Sequence, residues 1–105
     1  MTTPERRMKN RVTAELKELG CWYCFPMATG YGNTGVPDIL GCMWGGFFAI
    51  ECKSGSNKPT ALQQMQINEI KRIGGMTWVV NEESFPQFEK EIRQLHALWT
   101  SPNTP

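Results

Sequence analysis

No apolar run in this chain approaches the length of a membrane-spanning helix, which excludes a helical bilayer-spanning protein at the outset. The opening residues, Met1 to Arg7, hold no hydrophobic segment of the secretory type, and an intracellular setting is expected. Net charge is nearly absent as well. The sum of +1 carries no sign of a polyanionic partner, so any such sign must come from how the charges are distributed. Histidine is represented by His96 alone, and Cys21 and Cys24 have no second cysteine pair to complete a zinc set. Residues 21 to 25 read as a strand rather than the start of a redox helix, so zinc and thiol-exchange chemistry are set aside. Cys21, Cys24, Cys42 and Cys52 all fall in apolar segments and are expected to be buried free thiols. Internal repeats and low-complexity tracts are missing too. With 105 residues and 40% hydrophobic content, the chain is expected to form one domain around one core, residues 1–99, followed by a loose tail, residues 100–105.

What is present is punctuated regular structure. Thr3 as cap and Pro4 in the first turn predict a helix running to Gly20, with Met8, Val12, Leu16 and Leu19 as its buried stripe. Glu5, three residues before Met8, falls on the same inward side, where the helix dipole also favours a carboxylate. Cys21 to Phe25 reads as a first strand, and Met27 to Val36 as a glycine-rich loop. Within it, Gly30 to Gly35 matches the dinucleotide-binding fingerprint letter for letter. That reading fails because Val36, Pro37 and Asp38 lead into a β-rich segment, whereas the fingerprint must open a helix. The loop is instead expected beside the functional site, reaching substrate through backbone amides, Tyr31 or Asn33.

Asp38 to Met43 and Phe47 to Lys53 are apolar runs around Trp44-Gly45-Gly46, and Gly45-Gly46 signals a hairpin. Folding back near residue 45 brings Asp38 opposite Glu51 to Lys53. Strand alternation puts Phe47, Ala49, Glu51 and Lys53 on one side and Phe48, Ile50 and Cys52 on the other. Register is left open, since a slip of one residue turns Asp38 to the opposite face. Thr60 and Gln63 have capping-box spacing at the start of a helix that ends near Gly74-Gly75, and Gln63, Ile67 and Ile70 lie along its inward face. Met76 to Val80 then reads as a strand parallel to the second hairpin strand. Ser84 and Gln87 repeat the capping pattern before a last helix whose Phe88, Ile92, Leu95 and Trp99 point inward.

Two carboxylates and a lysine at one end of a hairpin suit metal-dependent phosphodiester hydrolysis. Mg2+ or Mn2+ takes hard oxygen ligands, here Asp38 and Glu51, while Lys53 faces the phosphate. Arg6, Arg7, Lys9 and Arg11 crowd the first helix, and Lys58 precedes Thr60; they form either a phosphate-facing patch or a solvated surface.

Taken in order, Glu5 with a helix closing at Gly20, Gly35-x-Pro37-Asp38, Glu51-x-Lys53, and Thr60-x-x-Gln63 followed by Gly74 resemble the VRR-NUC branch of the PD-(D/E)xK nucleases. The resemblance implies an α/β fold with an α-β-β-β-α-β core, a mixed sheet flanked by helices and, here, an added C-terminal helix. It further implies Asp38, Glu51 and the Cys52 backbone carbonyl as metal ligands, Glu5 as a ligand directly or through water, Lys53 on water and phosphate, and Gln63 orienting Lys53 or water. Small stand-alone relatives of this type, phage or bacterial, look like homodimers that cut branched DNA such as four-way junctions. The chain departs from them at Lys9, where relatives often carry a neutral polar residue, and in the loop from Met27 to Thr34.

Overall fold

Helix and strand boundaries follow the capping and turn chemistry of the sequence closely. A computed structural model describes residues 2–27 and 35–101 as α1 (Pro4–Glu18), β1 (Trp22–Cys24), β2 (Ile39–Met43), β3 (Gly46–Cys52), α2 (Ala61–Arg72), β4 (Met76–Val80) and α3 (Phe85–Thr100). In α1, Thr3 Oγ1 accepts from the Arg6 amide at 3.1 Å, satisfying one of the free N–H groups of the first turn. In α2, Thr60 and Gln63 form a reciprocal capping box. Residues 28–34, with Tyr31 and Asn33, lie outside the described residues, as does most of the expected tail.

The four strands form one mixed sheet in the order β1-β2-β3-β4, antiparallel across the first three and parallel between β3 and β4. The parallel pair is joined through α2, the crossover that a parallel connection requires. On one face, Phe48, Ile50, Cys52, Trp78 and Val80 pack with Met8, Val12 and Leu16 of α1 and Phe85, Phe88 and Ile92 of α3. On the other, α2 brings Ile70 towards Phe47, while Ala49 and Ile67 are buried. The result is an α/β domain with one four-stranded mixed sheet and three helices. Among the described residues no helix is long and apolar enough to cross a membrane.

Three local expectations need correction. The hairpin turn is Trp44-Gly45, with φ of 45° and 87°, and Gly46 already pairs with Met43 in the sheet. Two successive left-handed residues make the tight turn that matches strand twist, so the chain reverses one residue earlier than Gly45-Gly46 suggested. Ser84 does not cap α3. Its hydroxyl accepts from the Asn81 amide at 3.0 Å and donates to the Val79 carbonyl at 3.3 Å, while Gln87 donates to Glu91 at 2.8 Å. Finally, all four thiols are free, but only Cys21 and Cys52 are buried; Cys24 is half-buried and Cys42 is exposed, because Cys42 faces away from the core side of β2.

Candidate metal centre

Register decides the site. Ile39 pairs with Ile50, so the next step outward sets Asp38 beside Glu51 at the open end of the β2–β3 hairpin. Two hydrogen bonds lock that step: the Asp38 amide donates to Glu51 Oε1 at 3.2 Å, and the Cys52 amide donates to Asp38 Oδ2 at 2.9 Å. Each carboxylate is thus oriented by the other segment's backbone. Gly35 sets the approach to this position. Its φ of 101° is left-handed, and a Cβ there would lie 2.7 Å from the Leu62 carbonyl carbon, so only glycine lets the chain pass the start of α2 on its way to Asp38.

Glu5 arrives from the first turn of α1, completing a cluster in which one carboxylate oxygen from each of Glu5, Asp38 and Glu51 lies within 4.8 Å of the others. It is the one such cluster of possible metal-binding side chains among the described residues. Lys53 Nζ lies 3.4 Å from Glu51 Oε2, and Lys9 Nζ lies 3.9 Å from Asp38 Oδ1. Glu51 is only 1% exposed, and its Oε2 makes no hydrogen bond. Its charge is met by the Lys53 ammonium, and three carboxylates against two nearby ammonium groups leave the cluster short of positive charge.

The electrostatics agree with that geometry. Burial, reinforced by the Asp38 carboxylate, pushes the Glu51 carboxyl up to about 7, against the pull of the Lys53 ammonium. Burial and the same carboxylates drive the Cys52 thiol up to about 12, so the sulfur is an inert core group and not a ligand. The Cys52 backbone is another matter. The Lys53 amide donates to Val80, so in an extended strand the Cys52 amide and carbonyl both turn to the opposite edge, where the amide meets Asp38. Hard oxygen donors of this kind fit Mg2+ or Mn2+.

The remaining candidates divide. The hydrogen bonds of Gln63 run to Thr60: Oε1 accepts from the Thr60 amide at 2.8 Å, and the Gln63 amide donates to Thr60 Oγ1 at 3.2 Å. They tie Gln63 to the helix cap, and none joins it to Lys53. Lys9, expected in a surface patch, is instead half-buried beside Asp38 with its ammonium 5.9 Å from the Phe25 ring centre. Arg11 lies over the Phe85 ring at 4.2 Å, Arg7 donates to the Thr2 carbonyl, and Arg6 and Lys58 are exposed. Sequence reasoning missed Phe25 as a site neighbour. It also missed Glu15, which lies between Val12 and Leu16 on the buried stripe; a charged residue at that helical phase was the available signal.

A search against protein-family models finds no match to this chain, and a search of curated proteins finds none.

Proposed function

We propose that this protein is a Mg2+- or Mn2+-dependent DNA endonuclease of the PD-(D/E)xK type, in the VRR-NUC branch, acting as a homodimer on branched DNA such as four-way junctions. The observation that carries the reading is the cluster of Glu5, Asp38 and Glu51 carboxylates within 4.8 Å of one another, with the buried Glu51 paired to Lys53. An α/β sheet with a parallel β3–β4 pair supplies the scaffold on which that reading depends. The four free thiols accord with an intracellular enzyme.

Asp38 and Glu51, with Glu5 and the Cys52 carbonyl, are the groups that would hold the ion. When bound, the ion acidifies a water and offsets charge on the phosphate. The chain's own contribution is to hold these oxygens in place before substrate arrives. The two amide-to-carboxylate bonds between Asp38 and the Glu51–Cys52 segment hold both ligand side chains in one orientation. Lys53, whose side chain is 11% exposed, is tethered by Glu51 and presents its ammonium to the phosphate oxygens as negative charge develops. Two active sites related by a two-fold axis match paired strands of a junction.

The test is to incubate labelled four-way junction, flap, duplex and single-stranded DNA with Mg2+ or Mn2+, alongside Asp38→Ala and Lys53→Ala proteins. The expected result is metal-dependent cutting, strongest on the junction and lost in both variants. Binding without cutting in every condition would instead make the chain a silent DNA-binding module. Equal cutting of all four substrates would remove the junction preference, and a monomeric mass in solution would remove the paired-site arrangement.

A further inference from the structure

We infer that Lys9 is a resident cation of the metal centre, taking the place and charge of a second ion so that the three carboxylates bind one divalent ion and not two. This inference rests on the metal-site reading above. Three observations carry it. The Lys9 ammonium lies 3.9 Å from Asp38 Oδ1, on the side of Asp38 not taken by the Cys52 amide, which bonds to Oδ2. Lys9 and Asp38 are each only 23% exposed, so this is a sheltered pair rather than a fully solvated one. The Phe25 ring, with Tyr23 edge-on at 5.8 Å, lies 5.9 Å from the same ammonium, within reach of a cation–π contact.

Charge arithmetic then decides the ion count. Glu5, Asp38 and Glu51 bring three negative charges when ionised, and Lys9 and Lys53 return two positive ones. One divalent ion leaves a single positive charge, which one phosphodiester cancels. A second divalent ion would leave the half-buried pocket strongly positive even with the phosphate present, and a sheltered site does not sustain such an excess. Without Lys9, the site with one ion would be neutral before DNA arrives and negative after it. Glu5 and Lys9 are one helical turn apart on α1, so the ligand and its fixed counter-charge are delivered to the pocket together.

The experiment is calorimetric titration of the full chain with Mn2+ alone, without DNA, for wild type, Lys9→Met, Lys9→Arg, Lys9→Glu and Asp38→Asn, each first checked for a native melting transition. Wild type is expected to take up one ion per chain. Lys9→Met removes a repulsive charge and should bind that single ion about tenfold tighter or more. Lys9→Arg should stay within about threefold of wild type, and Lys9→Glu should take up a second ion. A merely structural Lys9 would shift the melting temperature and leave Mn2+ affinity untouched. Two ions in wild type, or unchanged affinity in Lys9→Met while Asp38→Asn loses binding, would overturn the inference and leave the metal site standing. Unchanged uptake in Asp38→Asn would overturn the metal-site reading, and this inference with it.

Discussion

Two glutamates are buried almost equally, Glu15 at 5% and Glu51 at 1% exposure, and their surroundings give them different characters. Glu15 lies at the seam between α1 and α3, with Arg93 Nε 2.6 Å from its Oε1 and Arg93 Nη2 donating to its Oε2 at 3.0 Å. Burial raises its carboxyl, and the next strongest influence is that guanidinium, which lowers it. Glu51 is raised by burial too, but its next strongest influence is another carboxylate, Asp38. The first pair closes a seam. The second sets carboxylates side by side, a concentration of like charge that Lys53 and Lys9 offset only in part.

The largest break in this comparison should come from activity. Asp38→Asn and Lys53→Met should lower metal-dependent DNA cutting by about a thousandfold, whereas Arg93→Met should leave the rate within about threefold below its melting transition. Gel assays on labelled DNA check both.

Stability should reverse that order. Arg93→Met leaves Glu15 buried without its main partner and should lower the urea midpoint of unfolding. Lys53→Met should cost less near neutral pH, because Glu51 can take up a proton instead.

The pH response should sharpen the contrast further. The Glu51 carboxyl at about 7 lies above its ordinary 4.5, so between those values the native chain holds a proton that the unfolded chain has released. Its stabilising contribution is therefore full below the unfolded value and is lost as pH rises through about 7, a fall on the order of 3 kcal/mol. Urea titrations of the metal-free chain should show that fall in wild type and lose it in Glu51→Gln. Added Mn2+ should counter it above neutral pH, where the carboxylate is free of its proton.

The smallest effect concerns Gln63. If capping is its whole contribution, Gln63→Ala and Thr60→Ala should each cost about 1 kcal/mol and leave cutting within a few-fold of wild type. A far larger loss of cutting in Gln63→Ala alone would bring Gln63 into the site.

Much of this arrangement was legible in the chain. The stripe of Met8, Val12, Leu16 and Leu19, the Thr60 cap and the parallel return at Met76 follow from helical period, capping chemistry and connection length, all local rules. Asp38 and Glu51 were legible as neighbours from the hairpin, whereas Glu5 entered only through the family resemblance, because a first-turn carboxylate at that spacing serves the helix dipole equally well. The reciprocal bonds of Asp38 and the Glu51–Cys52 segment were not legible, because register belongs to a pairing between strands and not to either strand. Lys9 and Arg11 read alike as charges on one helix. One lies beside Asp38 and the other over Phe85, and helix docking alone separates them.

By itself, the sequence determined the order and approximate extent of helices and strands, which faces are apolar, and which oxygen-bearing side chains are available, since each depends on neighbours within a few residues. Tertiary structure decided that Asp38 and Glu51 bind each other's segments, that Glu15 faces an arginine while Glu51 faces Asp38 as well as Lys53, and that Lys9 lies beside Asp38. Those outcomes depend on how distant segments approach, and on which charges are left without water when they do.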